Sequence, residues 1–583
     1  MRGIPALLKY QIVATAILWV IVRVLDAAAR GLMHMGGRVA VTTGDLAFLY
    51  ASWEGWLLIL LALVVAIAYV VIDVNAKVLC CGHIIRREKV SVWNLLKETF
   101  AETRRFFHPK GFLVFLYVVA AVPIAGVGLS TRLTANFRIP NFIMDVIYAT
   151  PLYLVLYVLA IVALIIFGVL HLFTFHFVLL GKQKVSKAFA ASRDLVRKHW
   201  KRLLPGLLAL FGILILLVFL IVFLFLGVPM VVLGGLENVS WMEEWMVELL
   251  TLCLGLNATL VISFAVMLLT PVEMLELTRF YYLYTEGEDG DTEEKVKKGW
   301  LLRRLALILV GSVLVGAVVQ PFSELVFPEP QVEIIAHRAG GTLAAENTTA
   351  GLEAAIEKGV YGSEIDVQRT KDGHYVVNHD NTFKRLSGES RASQEMTLEE
   401  IRQLSVKNTH ASGAASEPVA TLEEMLETVK DREILFIELK GETADTQMAD
   451  DVAQMIYERD MRDNVVVISL KYDLIDYCST RYPDIPTGLL YFASYGSTQN
   501  LNCDYLILEE EAATDSAIDA IHDAGKKAVV WTVNTEDSME KYLSGEADAI
   551  ITDEVAMAVE KKAEIQEQTD LQRMWDMFWD IEV

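Results

Sequence analysis

Residues Glu333 to Asp380 read EIIAHRAGGTLAAENTTAGLEAAIEKGVYGSEIDVQRTKDGHYVVNHD, and this stretch decides the fold of the second half of the chain. A short apolar run at 333–337 gives way to a helical period over Asn347–Lys358, and a second strand-like run follows at 361–367. Strand, helix, strand is the unit from which parallel sheets are built. After the second strand there is no room for a helix. Asp372-Gly373 instead signals a tight turn between strand-like runs, so the spacing predicts a hairpin that returns His379 to the level of Glu364 and Asp366.

The alternation continues downstream. Strands are expected at 434–439, 465–470, 487–491, 504–508, 527–533 and 548–552, with helices at Leu422–Lys430, Ala449–Arg459, Leu474–Tyr482, Thr514–Ala524 and Ser538–Leu543. Eight strands in about 230 residues match a (β/α)8 TIM-type barrel, whose active sites lie at the C-terminal strand ends. The segment at about 383–420, with MTLEEIRQL as its helix, reads as an insertion that roofs the mouth.

Upstream the composition changes. The 583-residue chain is 54% hydrophobic, and the apolar residues concentrate in 1–322. Because a bilayer span takes ~20 apolar residues, seven spans are expected at roughly 11–25, 56–74, 111–129, 151–180, 203–236, 247–277 and 301–320. The first is interrupted by Arg23, but no small-residue cleavage site follows it, which favours a span over a secretion signal. The domain reading is therefore an all-α polytopic membrane domain at 1–322, a Pro-rich linker at 323–332, a barrel at 333–560 and an amphipathic tail at 561–583 carrying Trp575, Phe578 and Trp579 on one face.

Basic residues orient the spans. The second-to-third connection holds Lys77, Arg86, Arg87, Lys89, Lys97, Arg104, Arg105 and Lys110, and the fourth-to-fifth and sixth-to-seventh are similarly basic; the fifth-to-sixth has no basic residue. This pattern predicts an integral protein of the cell membrane with a cytoplasmic N-terminus and an extracytoplasmic barrel. The net charge of −22 argues against a nucleic-acid partner. Five scattered cysteines show no metal-thiolate spacing, and nothing supports a bridge between Cys478 and Cys503.

Chemistry-bearing residues gather at the expected strand ends. Glu364 and Asp366 are two apart on one strand, so their side chains point the same way, either into the barrel or toward the helices. Two buried carboxylates are costly unless a cation neutralises them. Glu438 ends the run ILFIE and supplies a third hard oxygen, a set suited to one calcium or magnesium ion, with Lys440 beside it as an ion-pair partner or phosphate contact. His337 with Arg338, and His379 with Asp380, place two proton-transfer groups near that cluster. Glu346-Asn347-Thr348 opens the first helix and caps it. Trp531 is a core residue or a wall of the substrate pocket.

The ordered set HR, ENT, ExDV, TKDG, VVxHD, TLEE, ExK, WTVN and ITD resembles the glycerophosphodiester phosphodiesterase family, a barrel related to phosphatidylinositol-specific phospholipase C. The match covers about 333–560, and the first half looks like the membrane domain fused to this enzyme in a bacterial subset. The resemblance implies catalytic histidines at His337 and His379, metal carboxylates at Glu364, Asp366 and Glu438, and phosphate contacts at Arg338 and Lys440. Implied too is metal-dependent hydrolysis of a glycerophosphodiester to an alcohol and glycerol 3-phosphate, by water or through a cyclic phosphate. Two departures stand out. Ala339 intervenes before Gly340 where the family reads His-Arg-Gly, and Ala345 replaces a proline before Glu346; altered substrate fit is expected, with Gly340 and Gly341 keeping the loop flexible. Two other readings remain: hydrolysis of polymeric or lipid-borne glycerophosphate at the outer membrane face, and a non-catalytic transporter or scaffold with a phosphodiester-binding barrel.

Overall fold

The computed structural model describes residues 4–70, 74–88, 91–106, 141–222, 273–286, 331–410 and 416–568. The expected spans at 111–129 and 301–320, most of 247–277, the linker up to Pro330 and the aromatic residues of the tail lie outside them.

The described part of the first half is almost entirely helical, with helices Ile4–Met35, Trp53–Val70, Ala76–Ile85, Val92–Thr103, Asn141–Ala149, Pro151–Leu170, Thr174–Leu179 and Val185–Val222. Among the described residues one helical stretch, Pro151–Leu179, is long and apolar enough to cross a membrane, with mean hydropathy 2.9. No residue of Pro151–Leu170 is buried. An apolar helix with no buried face belongs in lipid.

The second-to-third connection is not the open loop its charge suggests. Ala76–Ile85 buries Val78, Leu79, Cys80 and Cys81 against Phe173, Leu179 and Tyr281 in one hydrophobic cluster. Across the surface of that cluster Lys182 reaches Glu102 (2.8 Å) and Arg86 reaches Glu286 (3.4 Å). Segments 74–106, 169–207 and 274–284 therefore pack into one cluster. Cys80, Cys81, Cys478 and Cys503 are free, buried thiols.

The second half is a closed parallel barrel. Its strands, in chain order, are Glu333–Ala336, Gly362–Arg369, Ile434–Leu439, Val465–Ser469, Thr487–Tyr491, Tyr505–Glu509, Lys527–Trp531 and Ala549–Thr552. Each pairs in parallel with its neighbour, and the first strand pairs with both the second and the eighth, which closes the ring. Two side-chain layers follow from strand alternation. Ile335, Phe436, Ile468, Ile507 and Val529 fill the interior, while Ile365, Val367, Ile437 and Leu439 pack outward against the helices. The helix Val555–Glu567 closes the succession.

The hairpin after the second strand is present. Tyr375–Val377 pairs antiparallel with that strand in the register Val367↔Val377 and Arg369↔Tyr375, and Gly373 turns the chain with φ +86°. The backbone N–H of Asn378 donates to the carbonyl of Asp366 (2.9 Å), which sets His379 beside Asp366. The insertion above it has a small core of its own, built from Val376, Phe383, Leu386, Met396 and Ile401. Thr397 and Glu400 form a reciprocal cap on its short helix Leu398–Ile401.

Candidate active site

Because Ile365, Val367, Ile437 and Leu439 face the helices, the residues between and beside them, Glu364, Asp366 and Glu438, face the interior. Asp366 and Glu438 are direct partners across the second and third strands. One oxygen from each of the three carboxylates lies within 4.8 Å of the other two, and all three are buried. Such a set meets the donor chemistry of a hard divalent cation. Burial, reinforced by the Asp366 charge, holds the Glu364 carboxyl well above the usual range; Glu438 is raised for the same reasons. Asp366 moves the other way. Burial, the largest single influence, raises it, but the charges of Lys440, His379 and Arg338 together with the Lys440 hydrogen bond outweigh burial and hold it well below the usual range.

Lys440 Nζ donates to Asp366 (2.7 Å) and to Glu438 (2.8 Å). This is the ion pair expected of it. A fixed ammonium between two of the three acids compensates part of the charge that a strand-end cluster would otherwise bury alone.

His337 leaves the first strand with its ring between two carboxylates. Nδ1 meets Asp553 at 2.8 Å, and Nε2 lies 3.9 Å from Glu364. Burial lowers its basicity, but the Asp553 charge and hydrogen bond reverse the balance and raise its pKa above the ordinary histidine value. Asp553 is itself fixed by Asn534, whose amide donates to Oδ2 (2.7 Å) and whose carbonyl accepts the Asp553 N–H (2.9 Å). Asp553 and Asn534 had no assigned role in the sequence reading, although both stand in quoted motifs, ITD and WTVN. The location of ITD at the end of the last strand, where barrel sites gather, was the signal.

Arg338 donates through its backbone N–H to Glu364 (3.0 Å) and through Nη1 to Glu346 (3.3 Å). Its Nε is buried without a partner among the described residues. Glu346 also receives a two-pronged contact from Arg385 (2.6 and 2.8 Å), which reaches on to Asp380. Asp380 in turn accepts from His379 Nδ1 at 3.0 Å. Burial dominates at His379 and lowers its pKa. Arg385 comes from the roofing insertion and was missed, because nothing in the local sequence ties an arginine there to a glutamate 39 residues earlier.

Two local expectations change. The first helix is Thr349–Lys358 and its cap is Thr348; Asn347 instead adopts a left-handed backbone (φ +57°) and holds Asp366 by two hydrogen bonds, 2.7 and 3.2 Å. The Gly340-Gly341 loop is close-packed rather than loose. Gly341 has φ +54°, and a Cβ there would lie 2.1 Å from the carbonyl of Asp553, so only glycine lets the first loop cross the eighth. Trp531 packs against the interior cluster and donates Nε1–H to the carbonyl of Ile507 (3.1 Å).

Residues 337–557 match the glycerophosphoryl diester phosphodiesterase family, and residues 2–319 match the membrane domain of glycerophosphoryl diester phosphodiesterase. The chain belongs to the glycerophosphoryl diester phosphodiesterase family. It is a phosphoric diester hydrolase with the membrane domain found in that family. Similar curated proteins include the glycerophosphodiester phosphodiesterase of Caldanaerobacter subterraneus subsp. tengcongensis, 30% identical over 232 residues that cover 38% of this chain and 93% of that one. The glycerophosphodiester phosphodiesterase of Bacillus altitudinis is 26% identical over 242 residues, covering 40% and 99%. Among solved structures, an Oleispira antarctica phosphodiesterase in complex with the product sn-glycerol-3-phosphate matches at 24% identity, covering 40% of this chain and 96% of that one, with a TM-score of 0.37.

Proposed function

We propose that this barrel hydrolyses glycerophosphodiesters to glycerol 3-phosphate and an alcohol with the help of one divalent cation, calcium or magnesium. The observation that carries the proposal is the convergence of His337, His379 and three buried carboxylates at one end of the barrel. Glu364, Asp366 and Glu438 would hold the cation, which supplies Lewis-acid polarisation of the phosphodiester when bound.

The chain's own groups do the rest. With Nδ1–H donated to Asp553, the lone pair of His337 Nε2 faces Glu364 and the barrel interior, so His337 acts as the base that takes the nucleophile's proton. His379, whose proton affinity is depressed by burial, acts as the acid that protonates the leaving alcohol. Arg338 stabilises charge on the phosphoryl oxygens. Lys440 contributes positive charge from behind the carboxylates, and Trp531 walls the pocket.

The same reading places the barrel outside the cell membrane, carried by seven spans with a cytoplasmic N-terminus. Its support is that the two basic segments 76–106 and 182–203 pack in one cluster with residues 274–284, as connections on one side of a membrane should. Tyr10 of the first helix belongs to that cluster, whereas Arg30 of the same helix touches the barrel at Ser497 (2.9 Å). Twenty residues of helix separate them, about 30 Å, the thickness of a bilayer core. The test is a panel of glycerophosphodiesters given to the full-length protein in detergent with added calcium or magnesium, beside the His337→Ala and His379→Ala variants. Release of glycerol 3-phosphate by the wild type alone is the expected result. Equal release by the variants would refute the assignment.

A further inference from the structure

The connection between the first two helices does not hang free. Ala40–Thr42 forms an antiparallel pair with Ser494–Gly496 of the barrel, in the register Ala40↔Gly496, Val41↔Tyr495 and Thr42↔Ser494. Thr43 Oγ1 donates to the carbonyl of Ala493 (3.1 Å) and accepts from the N–H groups of Phe492 and Ala493 (3.2 and 3.0 Å). Around this seam Tyr495 donates to Asp26 (2.9 Å), Arg30 to Ser497 (2.9 Å) and Arg38 to Asp473 (3.2 Å). Ala40 is buried in the barrel's own outer core with Tyr491 and Leu501. Gly44 fits so closely that a Cβ there would lie 1.9 Å from the carbonyl of Leu470.

The place of this seam matters. Leu470 and Asp473 follow the fourth barrel strand, and 492–497 follow the fifth, so the connection grips the mouth side of the barrel, across from His337 after the first strand and His379 after the hairpin. Shortly after the seam in sequence, Tyr50 in the helix Leu46–Ala51 and Trp53 and Trp56 at the start of the helix Trp53–Val70 are exposed. Tyrosine and tryptophan gather at the level of lipid headgroups. A barrel rim pinned beside these rings would stand at the headgroup level of a bilayer.

Building on the proposed hydrolysis, we infer that residues 36–45 are a docking strand that seats the barrel mouth against the membrane, and that the substrate is a glycerophosphodiester whose alcohol is a bilayer lipid. A free small diester would gain nothing from a mouth held at the headgroups. In the lipid case the oxygen of water adds to phosphorus while the ester bond to the lipid alcohol breaks. That alcohol oxygen takes a proton and stays in the bilayer, and glycerol phosphate leaves into solvent.

The experiment uses full-length protein in vesicles, with phosphatidylglycerol as the lipid-borne probe and glycerophosphocholine as the soluble one. Gly44→Val and Thr43→Val should lower release of glycerol phosphate from phosphatidylglycerol about tenfold or more, by loss of positioning, with glycerophosphocholine turnover unchanged. A Thr42→Cys/Ser494→Cys pair should oxidise to a crosslink, since directly opposed antiparallel residues stand about 4.5–5.5 Å apart at Cα. The oxidised pair should retain lipid turnover. Hydrolysis of glycerophosphocholine with none of phosphatidylglycerol would overturn the lipid substrate and leave the proposed activity standing. Absence of the crosslink, or docking variants that cut both probes like the wild type, would overturn the docking strand. Failure on both probes would remove the proposed activity, and the lipid substrate with it, while the crosslink still decides the docking.

Discussion

Asp553→Asn isolates the one interaction that most shapes His337. The exchange keeps the side chain's size and its contact with Asn534 but removes the charge that holds the imidazole's proton affinity up. Two unit charges about 4 Å apart at an effective dielectric of about 20 interact by about 4 kcal/mol. Asp553 keeps 31% of its side chain exposed, and solvent screening cuts that to roughly half, about 2 kcal/mol. At 1.36 kcal/mol per decade this is about 30-fold in rate if the imidazolium forms in the transition state. The amide also offers its N–H₂ to Nδ1, which turns some molecules to the wrong tautomer. A total fall in kcat of about 100- to 1,000-fold is expected. The pH–rate profile carries the discriminating signal. Because His337 is assigned as base and must be neutral to act, lowering its pKa shifts the acidic limb to lower pH by about one unit or more. A shift in the alkaline limb would make His337 the acid. An unmoved profile with kcat within threefold of wild type would refute the idea that Asp553 acts on His337 at all.

His379→Ala should lower turnover by about 100-fold or more, with KM much less affected, as expected of a lost proton donor. Asp366→Asn should abolish tight calcium or magnesium binding measured by titration calorimetry, since it removes one of three carboxylates and a partner of Lys440. Glu433, at the opposite end of the third strand, tests stability. It is 6% exposed, has only the Ser363 hydroxyl and the Arg432 charge among the described residues to offset its burial, and burial pushes its pKa up from 4.5 to about 7. An acid whose folded pKa is raised destabilises the native state progressively as pH rises from about 4.5 to 7, and constantly above that. Glu433→Gln should therefore be indistinguishable from wild type near pH 4 and more stable by about 2–3 kcal/mol at pH 8. Thermal melts at the two pH values check the sign.

The barrel was legible because its signals are local and repeated. Strand alternation, helix caps and the Asp372-Gly373 turn each act within a few residues, and together they located every strand to within two residues. The hairpin that returns His379 was legible for the same reason. What escaped depends on contacts distant in sequence. Either Asn347 or Thr348 reads as the cap by type, and only the loop over the first strand decides between them, turning the Asn347 amide toward Asp366 and leaving the cap to Thr348. Arg385 and Asp553 act only because the roof and the eighth strand close over the first loop. Glycines 340 and 341 were read as sources of mobility when their lack of a side chain serves close packing. In the membrane half, the charge pattern gave no sign that the basic segments 76–103 and 185–203 are themselves helical and packed. The pairing of Ala40–Thr42 with the barrel escaped because Val39, Val41, Thr42 and Thr43 favour a strand but nothing local names a partner more than 450 residues away.

The most direct test follows glycerol 3-phosphate release from glycerophosphocholine by the purified full-length protein through one cycle of chelation and re-addition of metal. Release should stop when divalent ions are stripped and return when calcium or magnesium is restored to the wild type, but not to Asp366→Asn. Turnover that continues undiminished in excess chelator would contradict the claim that the three buried carboxylates hold the catalytic cation.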